Sequence, residues 1–385
     1  MIKRFLILFS IVCLCLGCSI SSQLVLDDLT PRQIVRVAVL DDVKEFSLKV
    51  KGPFSVLDFS KNLVLIEDEG LVASIVRAKD TDIQIGNNYY DAYHLRITPY
   101  YDASIYVNGL RFRGRVDIVL NKDDLLTVVN VISLEKYIKG VLYREISDRW
   151  PLEAIKAQAV AARTYAVYIK ERSKDQSYDL RSDIYSQVYG GKNAERYRTN
   201  LAVDRTKGLI LKYNGMVLPA YYHATCAGKT EDAKLLWDHD IAPLRGVTCN
   251  FCKKSPHYFW KRNVQLKDIQ DKLNENGYDL WLIEEIQVVD RNESGRINIL
   301  KIVTRDNKEI IISGKDFRQI IGPNLIKSNN YVVDMQGYYV DFLGKGWGHG
   351  VGLCQWGANF MARDSYRFDK ILGYYYPGAK MVEYK

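Results

Sequence analysis

Apolar and polar positions alternate along the early part of the chain, a pattern typical of half-buried β-strands. The clearest runs are residues 34–39 and 47–50, and shorter ones follow at 63–67, 83–85 and 95–98. Asn108 and Gly109 form the dipeptide typical of a type I′ hairpin turn. We therefore predict a β-rich N-terminal module over residues 31–130, and this stretch contains no catalytic constellation.

The period changes to that of a helix between residues 133 and 173. Leu134, Ile138 and Val141 are spaced by four and three, so they share one helix face, and Glu145 continues this series. A second helix is predicted to begin at Pro151, a residue suited to the first helical position. The alanines on its apolar stripe allow another element to approach closely.

Strand-like runs return after residue 178, and residues 262–325 alternate a charged helix with short strands, which indicates an inserted α+β segment. A glycine-rich stretch over residues 344–357 leads into a helix that ends near Arg363. Blocks of helix and strand are segregated rather than strictly alternating, so the predicted fold class is α+β. We expect a β-rich catalytic domain with packed helices over residues 131–385, in addition to the N-terminal module.

Composition narrows the class of protein. Of the 385 residues, 47% are hydrophobic and 26% are charged, which excludes a wholly disordered or fibrous chain. The net charge of +8 suits an anionic surface or plain solubility. Because the basic residues are scattered and no nucleic-acid motif accompanies them, we expect no nucleic-acid partner. The 27 tyrosines and 6 tryptophans suit stacking on sugar rings, although β-propensity alone also enriches such residues.

The N-terminus predicts export. Lys3 and Arg4 precede an apolar run over residues 5–16, which is too short for a comfortable membrane span. Cys18 ends a sequence that resembles a bacterial lipobox, in which the cysteine receives lipid after cleavage, although Cys15 stands where leucine is usual. An ordinary cleaved signal is the alternative.

These features place two segments ahead of the body of the chain. Residues 1–18 are predicted to be an export signal with a lipobox, and residues 19–30 a polar linker. We expect an exported protein of the cell envelope, held at the membrane as a lipoprotein through Cys18.

Glu145 is the strongest candidate for chemistry. It occupies a position where the helical pattern calls for an apolar residue, and partial desolvation there raises the pKa of a carboxyl group. Such a group can protonate a departing glycosidic oxygen, although pairing with Arg144, Arg149 or a helix N-terminus is the alternative. Hydrolytic glycosidases generally need two carboxylates, and neither Asp148 nor Glu153 is an obvious partner. A lytic transglycosylase needs only one, because the C6 hydroxyl of the sugar attacks.

Four ordered stretches resemble the motifs of the sporulation stage II protein D / amidase-enhancer family. They are VLYRE at 141–145 with PLEAIKAQAVAARTY at 151–165, SQVYGG at 186–191, YHATCAGKT at 222–230, and GWGHGVGLCQWGA at 346–358. The resemblance covers residues 131–385, and a match of several motifs in one order is specific. It does not cover the N-terminal module with the same specificity.

The resemblance implies a peptidoglycan-directed protein. Sporulation members are lytic transglycosylases that prefer glycan stripped of its stem peptides, and they use the glutamate at the position of Glu145 as acid and base. Amidase-enhancer members are described as stimulating a partner amidase. Because this chain keeps Glu145, we expect a lytic transglycosylase that cleaves peptidoglycan glycan strands. The alternative is a non-catalytic glycan-binding enhancer of a cell-wall amidase.

The same motifs imply a set of substrate-binding residues: Gln158, Arg163, Gln187, Tyr189, Trp347, His349 and Gln355. The first four of these residues occupy polar positions of the motifs, and they are expected to hydrogen-bond sugar groups or to orient the catalytic glutamate. For Gln158 and Arg163, bracing of the helix against the sheet is the alternative. The alternating glycines of residues 346–352 let the backbone approach a ligand closely, or else they form a tight turn or bulge.

Cysteine and histidine residues form a second constellation, made of His223, Cys226, Cys249, Cys252 and His257. The Cys-x-x-Cys spacing is that of a zinc knuckle, whereas a disulfide from Cys226 to Cys249 or Cys252 is natural outside the cytoplasm. A structural zinc ion and a disulfide both remain open, and the chemistry requires no cofactor. Spacing suggests no partner for Cys354, which is expected to be a small buried residue.

Clostridial sporulation homologues resemble this chain but hold zinc near the Ser-Gln-x-Tyr motif, through cysteine and histidine. Here the corresponding positions are Leu180, Tyr185 and Ser186, so that particular site does not carry over.

Overall fold

A computed structural model describes residues 30, 33–79, 82–173, 177–182 and 187–384. The predicted export signal and lipobox lie outside these residues. None of the helices in the described ranges is both long and apolar enough to cross a membrane.

A large sheet forms the N-terminal part of the protein. Its strands are β1 (Ile34–Val43), β2 (Glu45–Asp58), β3 (Leu63–Lys79), β4 (Asp82–Ile85), β5 (Asn88–Tyr90), β6 (His94–Pro99), β7 (Ser104–Val107), β8 (Leu110–Phe112), β9 (Arg115–Leu120) and β10 (Leu126–Ser133). The order is β1-β10-β9-β6-β2-β3-β4-β5, and β7 pairs with β2 and β8. The predicted hairpin turn is confirmed, because Asn108 and Gly109 both have positive φ, 47° and 77°.

Two helices follow the sheet and share its core. Helix α1 (Leu134–Glu145) starts at the N-cap Ser133, and its buried face contains Leu134, Ile138 and Val141 as predicted. Helix α2 (Leu152–Lys170) has Pro151 at its cap rather than at its first turn. Strand β11 (Leu180–Arg181) then adds in parallel to β1. The boundary predicted at residue 130 therefore falls within β10, and one apolar core joins the sheet to both helices.

A second core lies under the central segments and the end of the chain. The central elements are α3 (Tyr197–Arg205), β12 (Leu209–Tyr213), β13 (Met216–Val217), β14 (Tyr222–His223) and α4 (Ala233–Trp237).

The inserted segment has its own core. It contains β15 (Phe259–Gln265), α5 (Leu266–Glu275), β16 (Ile283–Arg291), β17 (Ile297–Thr304), β18 (Glu309–Ser313), α6 (Gly314–Ile321), β19 (Tyr331–Gln336) and β20 (Tyr339–Lys345). Strands β15, β20 and β19 form one sheet, and β16, β17 and β18 form another. This core contains residues from Trp260 to Phe342. The inserted segment therefore continues well beyond residue 325, where it was predicted to end.

The chain ends with β21 (Leu353–Cys354), α7 (Gln355–Arg363), α8 (Phe368–Tyr375) and β22 (Lys380–Glu383). Helix α7 ends at Arg363, as the sequence predicted. With its mixed sheets and separate helices, the fold is α+β.

The glycine-rich motif packs against the segment around β14. Strands β14 and β21 pair in parallel, and Gly346, Gly348, Gly350 and Gly352 all have positive φ. A Cβ atom on Gly352 would lie 2.1 Å from the Tyr221 carbonyl oxygen, and one on Gly348 would lie 2.7 Å from the His223 Cβ. The close approach is thus to the protein's own chain, and the glycines set the spacing of two neighbouring segments.

We expect Gly352→Ala to lower the free energy of unfolding by about 3 kcal/mol or more, because it adds atomic overlap to backbone strain. Gly215→Ala is the matched control. Gly215 has a similar φ of 79°, against 71° for Gly352, but open space around its Cβ position. The free energy of unfolding of the control should fall by only about 1 kcal/mol. Urea unfolding of both variants measures the difference, and equal losses would contradict this packing.

Candidate functional site

A cavity of about 560 Å³ opens beside the last residue of α1. We call it the Glu145 cavity. Its walls come from several separate parts of the chain: the ends of α1 and α4, helix α2, residues 187–188, the β14 region with the glycine-rich motif, and the inserted segment. Its main lining residues are Glu145, Tyr165, Gln187, Val188, Tyr222, His223, Trp237, Lys315, Arg318, Gln319, Asn324, Asn329, Trp347, His349 and Gln355.

The Glu145 carboxyl group is desolvated and hydrogen-bonded. The Val188 amide donates to Glu145 Oε1 at 3.3 Å, and the side chains of Tyr222 and Gln355 also hydrogen-bond the carboxyl group. Desolvation outweighs these bonds and raises the pKa of Glu145 from 4.5 to about 7. The position at the C-terminal end of α1 acts in the same direction, because the helix carbonyls disfavour a negative charge there.

Gln187 fixes the position of Tyr222. Its amide nitrogen donates to the Tyr222 hydroxyl at 3.0 Å and to the Ala162 carbonyl at 3.1 Å. Its amide oxygen accepts from the Tyr137 hydroxyl at 3.0 Å. Both faces of this amide are therefore used, and the Tyr222 hydroxyl proton remains free to point at the Glu145 carboxyl group.

His349 is held as a neutral ring. Its Nδ1 accepts from the Val351 amide at 3.1 Å, so Nε2 carries the proton and donates to the Tyr222 carbonyl at 2.9 Å. Burial, together with the nearby Arg318, lowers the pKa of His349 to about 3. His349 thus positions the backbone of Tyr222 instead of exchanging protons near neutral pH.

Aromatic side chains flank Glu145 on a second, more open side. Trp347 lines both the Glu145 cavity and a neighbouring open groove, whose residues also include Glu145, Asp148, Gln355 and Trp356. We call this the outer groove. The ring of Trp347 stands edge to face with His257 at 4.6 Å between centroids. The two hollows share Glu145, Trp347 and Gln355 in their linings, and we call the pair of them the aromatic passage.

The inserted segment supplies a wall that the sequence analysis did not anticipate. Lys315, Arg318, Gln319 and Asn324 line the Glu145 cavity from α6 and the loop after it. Arg318 is fixed there by donating to the carbonyls of Ile326 and Lys327 at 2.9 and 3.2 Å. No motif marks these positions, and only the folding of the insertion over the cavity brings them to Glu145.

Three predicted substrate-binding residues lie elsewhere. Arg163 is fully buried, ion-paired with Glu135 at 2.7 Å and hydrogen-bonded to the Leu209 carbonyl at 3.1 Å, so it braces α2 against both α1 and β12. Tyr189 is buried between α1 and the sheet, and its hydroxyl donates to Asn130 Oδ1 at 2.8 Å. Gln158 is buried on α2. Protein groups already bond Arg163 and Tyr189, and none of these three residues is among those lining the Glu145 cavity.

The group of possible metal ligands in the structure differs from the predicted one. The Sγ atoms of Cys226, Cys249, Cys252 and Cys354 all lie within 4.8 Å of one another, and all four residues are buried. Cys354 is buried, as expected, and the β14–β21 pairing also brings it beside Cys226, a neighbour that its spacing in the sequence did not suggest.

The two predicted histidine ligands lie outside this cluster. His223 uses Nδ1 to bond the Val351 carbonyl at 3.0 Å, and His257 packs against the rings of Trp347 and Trp356. His223 lines the Glu145 cavity and His257 lines the outer groove, so neither belongs to the group of four sulfurs.

Comparison with known proteins agrees with the arrangement of the chain. A family model described as Stage II sporulation protein matches residues 122–213, and one described as a domain of unknown function, DUF8618, matches residues 246–352. The second match covers the whole inserted segment and the start of the glycine-rich motif.

Several curated proteins are similar over much of the chain. An uncharacterized protein of Brachyspira hyodysenteriae is 31% identical over 92% of this chain and 94% of its own. The stage II sporulation protein D of Bacillus amyloliquefaciens is 31% identical over 66% of this chain and 76% of its own. The amidase enhancer of Bacillus subtilis is 28% identical over 64% of this chain, which covers 40% of that protein. By these matches and its ordered motifs, the chain belongs to the stage II sporulation protein D family.

Proposed function

We propose that this protein is a lytic transglycosylase that cleaves the glycan strands of peptidoglycan with Glu145 as its acid and base. The supporting observation is the Glu145 carboxyl group, which has a pKa of about 7 and lines the Glu145 cavity. Residues 183–186 are not described, and among the described residues that line this cavity Glu145 alone carries a carboxyl group, whereas Asp148 lines the outer groove. A single acid of this kind suits a reaction in which no water needs a second carboxylate as its base.

The proposed reaction conserves atoms and needs no cofactor. Protonated Glu145 gives its proton to the glycosidic oxygen as the bond from the anomeric carbon to that oxygen breaks. The C6 hydroxyl of the same sugar attacks the anomeric carbon, and the Glu145 carboxylate then accepts the hydroxyl proton. The products are an anhydro sugar end and a new hydroxyl end. Tyr222, Gln355 and the Val188 amide can stabilise the carboxylate between the two steps.

The surroundings of Glu145 suit a polymer. The Glu145 cavity and the outer groove meet at this residue, so a strand has room on both sides of the bond to be cut. His223 Nε2 and Asn329 Oδ1 are buried atoms in or beside the cavity with no hydrogen-bond partner among the described residues. Buried polar atoms of this kind are suited to the hydroxyl and N-acetyl groups of a sugar.

A second candidate function is enhancement of a cell-wall amidase by a non-catalytic, glycan-bound protein. The observation that favours it is the similarity to a protein named amidase enhancer over 64% of the chain. This function would need the aromatic passage but not the raised pKa of Glu145.

The proposed place of action is the cell envelope. Export and a lipid anchor at Cys18 would put the cavity next to its polymer, and the basic and apolar pattern before Cys18 supports both.

Native protein incubated with purified, peptide-free glycan should release fragments with anhydro-muramyl ends, detected by mass spectrometry. Glu145→Gln should slow this release by at least about 100-fold, because the amide cannot give or accept the proton. Glu171→Gln is the matched control, since Glu171 caps α2 on an exposed surface away from the cavity and should leave the rate unchanged.

Two other outcomes would contradict catalysis by Glu145. One is glycan left uncut by the native protein, together with binding to wall sacculi and amidase stimulation that Glu145→Gln does not alter. That outcome would establish the enhancer function instead. The other is equal cutting by native protein and Glu145→Gln.

Base treatment of the native protein purified from its own membranes should release fatty acid, and Cys18→Ala should release none, because the thiol is the acceptor of the lipid. Gas chromatography of the released acids is the measurement. Absence of fatty acid from the native protein would point to an ordinary cleaved signal.

The raised pKa also predicts a pH-dependent stability. Because the folded-state pKa of about 7 exceeds the ordinary 4.5, the folded protein binds this proton more tightly than the unfolded chain. The cost of ionising Glu145 is therefore absent well below pH 4.5 and complete above pH 7. Glu145→Gln removes that cost, so its stability relative to native protein should rise by on the order of 2 kcal/mol from about pH 4 to about pH 8, allowing for partial solvent access. Urea unfolding at both pH values measures this, and a difference independent of pH would contradict it.

A further inference from the structure

Four sulfur atoms converge at a point between the central segments and the C-terminal helices. Cys226, Cys249, Cys252 and Cys354 are each at most 1% exposed, and their Sγ atoms lie within 4.8 Å of one another. The Sγ atoms of Cys226 and Cys252 are 3.5 Å apart. A tetrahedral ion with bonds of about 2.3 Å to sulfur needs its ligands roughly 3.8 Å apart, so the observed spacing fits such an ion.

We propose that these four cysteines bind one zinc ion as a closed, structural four-thiolate site. Zinc takes four sulfur ligands in this geometry, and a ligand pair separated by two residues, like Cys249 and Cys252, is typical of such sites. The inference concerns a metal site and does not depend on the proposed glycan cleavage.

Hydrogen-bond donors surround the sulfurs, as expected for thiolate ligands. The amides of Cys226 and Gly357 both donate to Cys354 Sγ at 3.3 Å. The hydroxyl of Tyr375 lies 3.2 Å from Cys249 Sγ. Donors of this kind orient ligands and offset their negative charge, whereas a disulfide sulfur gains little from them.

Local structure presents the four ligands from three chain segments. Cys252 lies on a short 3₁₀ turn, Phe251–Lys254, which follows Cys249 closely. Cys354 is the N-cap of α7, a nine-residue helix whose N-terminal end favours a thiolate. Gly357 is required beside it, because a Cβ there would lie 1.9 Å from the Tyr375 hydroxyl and 3.1 Å from Cys249 Sγ.

A buried cation lies next to the cluster. Arg296 is 2% exposed, and its guanidinium donates to the carbonyls of Cys226 and Lys229 at 2.9 and 3.1 Å. Four thiolates and one divalent ion carry a net negative charge, which a neighbouring guanidinium stabilises in a buried setting. Arg296 precedes β17, so it also fixes the inserted segment to the cysteine site.

The site would hold together the two segments that contact Glu145. Cys354 directly precedes Gln355, and Cys226 follows Tyr222 after a short loop. Both Gln355 and Tyr222 hydrogen-bond the Glu145 carboxyl group. Zinc at the four sulfurs would therefore hold these two segments together next to the Glu145 cavity, in addition to the β14–β21 pairing.

The test measures metal in the full chain purified without added zinc. Inductively coupled plasma mass spectrometry should give about one zinc per chain. Cys249→Ser and Cys354→Ser should each lose most of it. His257→Ala is the matched control. Histidine can bind zinc, but His257 packs against Trp347 outside the cluster, so its loss should leave the zinc in place.

Measurements on the native chain keep the test valid if the serine variants fail to fold. Removal of the metal with a strong chelator should lower the Tm, and added zinc should restore it. Cobalt in place of zinc should give the visible absorption bands of a tetrahedral tetrathiolate site.

Three results would overturn the assignment. The first is a native chain that contains no more zinc than the Cys354→Ser variant does. The second is iron in place of zinc, which the same four thiolates also accept. The third is peptides joined by a disulfide among these cysteines, found by digestion without reductant.

Discussion

The structure depends on keeping one carboxyl group out of water while leaving one side of it open. Glu145 ends α1, where the helix carbonyls and the surrounding burial both favour its neutral form. Hydrogen bonds from the Val188 amide, Tyr222 and Gln355 act against this and favour the carboxylate. The balance leaves a pKa of about 7, at which the group can both give and take a proton near neutral pH.

Each of these neighbours is held in place by contacts deeper in the protein. Gln187 fixes the Tyr222 hydroxyl, and neutral His349 fixes the Tyr222 backbone. Gln355 begins α7 immediately after Cys354, so the cysteine cluster limits its movement. The glycines of residues 346–352 allow this part of the chain to lie against the β14 region without clashes. The environment of Glu145 is therefore a product of several distant segments packed together.

Local pattern was enough to predict some of these features. The spacing of Leu134, Ile138 and Val141 predicted the buried face of α1, and Glu145 was predicted to continue this series, because helical periodicity is a local property. The turn at Asn108 and the α+β class followed from equally local signals. Four of the residues singled out by the motif resemblance, Gln187, Trp347, His349 and Gln355, line the cavity.

Features that depend on tertiary contacts were not predictable in this way. A motif match cannot distinguish a polar residue that lines a cavity from one that braces the core, and the structure places Arg163 and Tyr189 in the core. Cys354 is more than one hundred residues from the other cysteines, and only strand pairing reveals it as their neighbour. Likewise, Arg318 reaches the cavity because the inserted segment folds over it.

The protonation of Glu145 is the central claim, and difference infrared spectroscopy measures it directly. Subtracting the pH titration of Glu145→Gln from that of the native protein isolates the carboxyl stretching band of this one residue. As the pH is raised, we expect the band of the protonated carboxyl group to disappear with a midpoint near pH 7. A midpoint near the ordinary value of 4.5 would show that the carboxyl group is solvated and would contradict the account.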